Sequence, residues 1–306
     1  MTTDFFLSLL AATVQSGTPI LFATLGEIIT ERSGVLNLGV EGIMMIGALA
    51  GFLVARETGQ PAMGFFIGGC CGALLASIHG GVCLWLQGNQ VVSGLALTIL
   101  GVSLAEYLGT PFIGQAAPGF FAVPVPLLSK IPWIGPVFFR QDLLVYLSYL
   151  LPPILWWILS YTSWGLCLRA VGENPEAAKA AGLSVAGYRW VGIGLGGFFV
   201  GLGGAYLSLA YTHLWTNNLS AGRGWIAVAL VIFAFWRPMR AVAGAYLFGG
   251  VMAFQLRLQA MGTNLPSSLL LMLPYVLTVL VLVLSMRGKK RGEAPAALGI
   301  NFEPLD

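Results

Sequence analysis

Long apolar runs separated by short polar breaks set the pattern of this chain. Nine such segments stand out, at about 5–25, 35–55, 62–86, 91–112, 143–162, 190–214, 225–236, 241–256 and 266–286. Most match the ~17–25 residues that a helix needs to cross hydrocarbon. Runs such as LPSSLLLMLPYVLTVLVLVLSM (265–286) show no alternation of apolar and polar positions, which argues against a β-barrel and for helices. The pattern predicts an all-α membrane protein with about nine (8–10) transmembrane helices. Segments 225–236 and 241–256 are short, and WRPMR (236–240) parts them. Transporters use such interrupted segments to bring helix ends and unpaired backbone to membrane depth.

Composition strengthens the picture. Of 306 residues, 57% are hydrophobic and 9% charged, against roughly 25% charged in soluble domains. A net charge of +3 gives no case for nucleic acid as a partner. No cleavable signal peptide is expected, because Asp4 stands where a basic n-region belongs and the first apolar run lacks an A-x-A site. Cys70, Cys71, Cys83 and Cys167 lie in or beside apolar runs without a C-x-x-C pair, and read as small packing residues.

Lysine and arginine give an orientation. With the C-terminus cytoplasmic, Arg287, Lys289, Lys290, Arg291, Arg237, Arg240, Arg169, Lys179, Arg189 and Arg32 share that side. Arg56, Lys130, Arg140, Arg223 and Arg257 fall on the other, and nine spans then place the N-terminus outside. The Pro- and Gly-rich stretch 113–142, with Trp133, reads as an irregular external cap on which a soluble partner could sit. Residues 288–306 read as a short disordered tail.

The charged residues are concentrated in a few places. ERSGVLNLGVEG (31–42) holds Glu31, Arg32, Asn37 and Glu41 between two apolar runs. Gly34, Gly39 and Gly42 permit irregular backbone there, and Asn37 can cap a helix starting at about 38 with Glu41 on its first turn. Glu27, Glu31 and Arg32 read as a helix junction. Glu41 and Asn37 admit either a structural tie or a contact with cargo. Asn89, Gln90 and Ser93, from GNQVVSGLALT (88–98), could add donors and acceptors to a pathway. Glu106 reads as a structural partner, and His79 and His213 as packing residues. SAGRGWIAVALVIFA (220–234) echoes NLGVEGIMMIGALAG (37–51), with Arg223 matching Glu41 and Gly224 matching Gly42. Two such units in opposite orientation would form an inverted repeat with short or broken helices and a pathway between them, which adds Arg223 to the pathway candidates.

RAVGENPEAAKAAGLSV (169–185) predicts a short, firmly ended helix. Asn174 is a good N-cap, Pro175 fits the first helical position, and Glu176 lies near the positive dipole end. Ala177, Ala178, Ala180 and Ala181 favour helix, and Gly182 suits its end. GIGLGG (192–197) has the letters of a dinucleotide fingerprint, but in an apolar span it reads as close helix packing. No G-x-x-x-x-G-K-[ST] occurs, so any ATP would be held by another subunit.

The string EAAKAAG resembles the coupling-helix motif of ABC-importer permeases, without the I-x-L-P of its longer form. The form L-R-A-V-G-E-N-P-E-A-A is similar to the branch handling branched-chain amino acids, sugars and nucleosides. ERSGVLNLGVEG and GNQVVSGLALT resemble nucleoside-importer permeases served by lipoproteins of the basic-membrane-protein type. This resemblance covers 27–51, 88–98, 169–185 and 220–240. It implies a bacterial plasma-membrane permease working by alternating access, with Asn174, Pro175, Glu176, Ala177, Ala178 and Gly182 engaging an ATPase. It also implies a second, different permease, an external binding lipoprotein and a nucleoside cargo. The chain itself would bind no cofactor and do no covalent chemistry, since ATP and Mg belong to the ATPase. The organisation expected is one transmembrane domain over 1–287, with the external loop at 113–142, a cytoplasmic coupling loop at 164–189 and the tail at 288–306. The rivals are a branched-chain amino acid or sugar permease and, from another class, a self-sufficient secondary transporter.

Overall fold

Apolar helices joined by short connections account for most of the chain. The computed structural model describes residues 2–262, 266–286 and 294–301. Its helices are α1 (Thr2–Arg32), α2 (Val40–Thr58), α3 (Pro61–Leu84), α4 (Gln90–Gly109), α5 (Ile134–Phe138) and α6 (Leu143–Tyr161). They continue as α7 (Ser163–Glu173), α8 (Pro175–Ala180), α9 (Val185–Tyr206), α10 (Arg223–Ala234), α11 (Pro238–Ala260) and α12 (Ser267–Met286). Strand among the described residues is confined to a two-residue antiparallel pair, β1 (Val123–Pro124) with β2 (Arg140–Gln141), in the 113–142 loop.

Six helices, α1, α3, α4, α6, α9 and α11, are long and apolar enough to cross a membrane. The other apolar segments differ in kind. Helix α2 has 19 residues but carries Glu41, Arg56 and Glu57; α10 has 12 residues; and the apolar part of α12 is short. Segment 241–256, expected to be short, is instead part of a 23-residue helix. The apolar run ends early, but Gln255, Arg257 and Gln259 continue the helix. Arg257 is held by the Phe5 carbonyl and the Ser8 hydroxyl of α1.

The helices pack in a mirrored order. Helices α1 and α9 lie against each other at the centre. Helix α3 packs on α9 as α11 packs on α1. Helix α2 packs on α9, α3 and α4, while α10 packs on α1, α11 and α12. Helix α6 flanks α11 and α1, and α7 lies against α6 and α9. Helices α7 and α8 with residues 294–301 occupy one end of the bundle, the tail end. The 113–142 loop covers the other, the loop end, tied by Gly114, Ala117 and Phe120 N–H groups to the Trp215, His213 and Leu209 carbonyls.

Close approach at the centre depends on small residues. A Cβ at Gly204 of α9 would strike the backbone carbonyl of Met44 in α2. Gly194, on the same helix, has open space. Stripes of small residues permit this approach where apolar side chains gain little by leaving lipid.

Two turns of α9 therefore give opposite results. Gly204→Ala should lower the thermal unfolding midpoint of the purified protein through overpacking of about 1–3 kcal/mol. Gly194→Ala should leave it unchanged or raise it, since Ala is the better helix former by up to about 1 kcal/mol. Equal midpoints for the two variants would contradict the packing described.

Candidate functional site

Segment 33–39 carries the chain from the end of α1 back into the bundle without regular structure. Irregular backbone among apolar helices must find partners inside the protein, because lipid offers none. Side chains from four elements supply them. Gln90 Oε1 accepts from the Leu36 N–H at 2.7 Å, and the Leu36 carbonyl accepts from His79 Nε2 at 3.1 Å. Glu27 Oε1 accepts from the Asn37 N–H at 3.2 Å, Asn37 Oδ1 from the Gly39 N–H at 2.8 Å, and the Leu38 carbonyl from the Thr98 hydroxyl at 2.8 Å. Helix α2 therefore starts at Val40, with Gly39 at its cap and Asn37 forming a turn just ahead of it. It starts deep: Gly42 lies against Leu97, Thr98 and Gly101, roughly 10–16 Å along α4 at 1.5 Å per residue.

A second irregular segment enters from the loop end. Helix α9 widens into a π turn over Leu207–Tyr211, and residues 212–222 then run down to α10. Asn218 is held by Glu106, whose Oε1 accepts its N–H at 3.1 Å. Asn218, Ala221 and Gly222 all have positive φ.

The two segments meet at Glu41. Its Oε1 accepts from the Ser220 hydroxyl at 2.6 Å and the Gly222 N–H at 2.8 Å; Oε2 accepts from the Gly224 N–H at 2.6 Å. The carboxylate thus satisfies N–H groups at the start of α10, which no residue within that helix can reach. It also belongs to the first turn of α2, so the positive ends of two helices converge on one negative charge. A Cβ at Gly224 would strike the Glu41 backbone, and only glycine permits this approach. Arg223 lies alongside, with Nη1 donating to the Ser220 carbonyl at 3.0 Å and its guanidinium carbon 5.3 Å from the centre of the Tyr211 ring. Its Nε has no hydrogen-bond partner among the described residues. The π turn is what brings Tyr211 beneath the guanidinium.

Beside this junction lies a cavity of about 720 Å³ whose walls come from α2, α4, α10, α11 and α12. Glu41, Arg223, Asn218 and Gln255 contribute polar groups, and Trp225 and Tyr275 contribute aromatic surface. Its size falls in the roughly 300–1,000 Å³ range of small-molecule sites.

The pathway candidates divide between several places. Glu41 and Arg223 share this cavity. Asn37 and Gln90 are buried pins of the 33–39 backbone. Asn89 caps α4 by accepting from the Val92 N–H, and Ser93 bonds His79 Nδ1; both face a separate apolar hollow between α3 and α4. His213, expected to be a packing residue, donates through Nε2 to the Phe120 carbonyl and stacks its ring on Phe121. No motif or charge pattern in the sequence marks Thr98, Gln255, Trp225, Tyr211 and Tyr275, which the fold brings to or beside this cavity. Threonine and glutamine inside apolar runs were the available signal for the first two.

At the tail end, the Trp236 indole donates to Glu31 Oε2, and Arg32 donates to the Trp236 carbonyl. Glu31 and Arg32 thereby tie the end of α1 to the end of α10. Helix α8 has Asn174 at its cap, accepting from the Ala177 N–H at 2.9 Å, and Pro175 at its first position. Gly182 follows with φ +82°. Glu176 and Ala177 are exposed, while Ala178 packs with Val171 and Val185. Within the tail, residues 294–301 differ from the disorder expected of them. Ala297 N–H donates to the Gly172 carbonyl, Ala296 N–H to Glu173 Oε2, and Gln90 Nε2 to the Ile300 carbonyl. Small residues there let the backbone lie flush on α7 (Ala297 is buried), a contact that composition alone does not reveal. Arg287, Lys289, Lys290 and Arg291, which carry much of the charge bias, lie outside the described residues.

A family model described as "Branched-chain amino acid transport system / permease component" matches residues 9–283. A putative glucose ABC transporter permease of Haloferax volcanii is 46% identical over 86% of this chain and 81% of its own length. A nucleoside ABC transporter permease of Lactococcus lactis is 36% identical over 93% of both chains. A guanosine ABC transporter permease of Bacillus subtilis is 33% identical over 95% of both. No solved structure matches. The match runs through both irregular segments and the helices they join, and the chain belongs to the branched-chain amino acid transport system permease family, as a membrane-embedded, non-enzymatic permease subunit of an ABC transporter.

Proposed function

We propose that this permease imports nucleosides, and that the cavity beside Glu41 is part of the route. The carrying observation is that cavity, where two helix N-termini, a carboxylate and a guanidinium meet beside aromatic surface. A nucleoside is uncharged and offers hydroxyls, base edges and an aromatic face. Arg223 has donors to spare, Gln255 and Asn218 can donate and accept, and Trp225 and Tyr275 can take the ring. Glu41 already has three donors, so its charge is balanced and a carboxylate-bearing cargo gains little there. The two nucleoside-named relatives, matching along nearly their whole lengths, support this cargo. Hexose import is the second reading, favoured by the glucose-named relative. Both cargoes are uncharged rings bearing hydroxyl groups.

The rest of the reading follows from the packing. The mirrored contacts support an inverted repeat, α1–α4 against α9–α12. Helix α2 and helix α10 are then the broken elements, and nine helices lie in the membrane with the tail end cytoplasmic. Helix α8 is the coupling helix, presenting a small exposed surface to an ATPase that holds ATP and Mg. A second, different permease completes the pore, and an external lipoprotein delivers cargo in the plasma membrane of the cell. Closure of the ATPases moves α8 and switches the pathway between outward- and inward-facing states.

Uptake of labelled guanosine by cells expressing the intact system should be competed by uridine and inosine but not by glucose or leucine. Competition by glucose alone would give the cargo to the second reading; competition by leucine alone would overturn both. Glu41→Gln places an amide N–H₂ where a carboxylate oxygen accepted a helix N–H. Charge-assisted bonds of this kind are worth roughly 1.5–3 kcal/mol, so uptake should fall by about tenfold or more while the subunits still assemble. Wild-type uptake by this variant would remove Glu41 from the route.

A further inference from the structure

Residues 294–301 touch two parts of the molecule that the transport cycle must link. On one side they bind the end of α7, through Ala297 N–H to the Gly172 carbonyl (3.0 Å) and Ala296 N–H to Glu173 Oε2 (3.3 Å). Glu173 is followed directly by Asn174, the cap of α8. On the other side, the Ile300 carbonyl accepts from Gln90 Nε2 at 2.6 Å, and the same carboxamide accepts from the Leu36 N–H through Oε1 at 2.7 Å. Gln90 is buried, and its two ends are committed to two different backbone segments. Leu298 packs against the main apolar core, which seats the middle of the segment. From Leu36 the chain reaches Glu41 in five residues, of which Asn37, Leu38 and Gly39 are pinned by the side chains described above.

We propose that residues 294–301 and Gln90 form a strap that transmits displacement of α8 to the 33–39 segment, and through it to the Glu41 junction. Gln90 is a positioning residue in this scheme. It touches no cargo, and acts by holding the Leu36 backbone to the strap. The proposal rests on the reading of α8 as the coupling helix. Hydrogen bonds of fixed direction at both ends suit the task, because they transmit a shift that sliding apolar contact would absorb.

The test is cargo imported per ATP hydrolysed, measured in vesicles holding the complete complex of both permeases, ATPase and binding protein. Two variants are compared with wild type: Gln90→Leu, which removes both side-chain bonds at similar volume, and deletion of 294–306. Both should keep the ATPase bound and turning over while cargo per ATP falls about fivefold or more, the range expected when a coupling between sites is lost. An unchanged ratio in both variants would overturn the proposal. So would dissociation of the ATPase, or a fall in ATP turnover matching the fall in uptake, since either assigns the strap to docking or to folding alone. Failure of the underlying reading looks different: Ala181→Trp, on the exposed end of α8, would then leave the ATPase bound and uptake normal.

Discussion

A carboxylate among apolar helices is stable only if its charge and its lone pairs are both accounted for, and Glu41 meets that constraint with the start of another helix. Ser220, Gly222 and Gly224 give it three donors, and the first turns of α2 and α10 both direct their positive ends towards it. In return, N–H groups at the start of α10 that no residue of that helix can reach are satisfied by this carboxylate. Helix α10 thus begins on a side chain of α2. Glycine at 224 is required because the Glu41 backbone occupies the space of its Cβ.

The polar residues scattered through the apolar runs serve the same constraint. Glu27, Asn37, His79, Gln90 and Thr98 come from α1, α3, α4 and the segment itself, and each pairs with a backbone group between Leu36 and Gly39. Glu106 does so once for the other segment, at Asn218. The asymmetry between the two segments is informative. The one leading to α2 is pinned mainly by side chains, whereas the one leading to α10 is held by Glu41, Glu106 and Arg223 together with backbone bonds to the 113–142 loop. A cavity opens where that second segment ends, beside Arg223, whose Nε has no hydrogen-bond partner among the described residues.

Local rules made some of this readable in advance. Asn174, Pro175 and Gly182 set the limits of α8, because cap chemistry depends on neighbours a few residues apart. Glu41 and Arg223 stood out because charge is rare in this chain, and the fold brings both to one cavity. Other features depend on contacts between distant residues. The polar end of α11 is helical because Arg257 finds α1, and residues 294–301 are ordered because Gly172 and Gln90 receive them. Gln90 and Asn37 were conspicuous as buried polar residues, but the choice between cargo and backbone as their partner is made by the path of the 33–39 segment. Tyr211 had no local signal at all, since its position depends on a π turn at the end of α9.

Passage of cargo by the Glu41 junction, as proposed, requires the adjoining cavity wall to be reachable from water, which cysteine labelling measures. Ser103→Cys places a thiol in the cavity wall, and Leu74→Cys places one on the exposed flank of α3, each in a chain lacking the four native cysteines. A membrane-impermeant thiol reagent should label Ser103→Cys faster than Leu74→Cys, from opposite sides of the membrane in different nucleotide states of the complex. Added nucleoside should slow that labelling. Equal, slow labelling of both positions in every state, with no protection by cargo, would contradict the account.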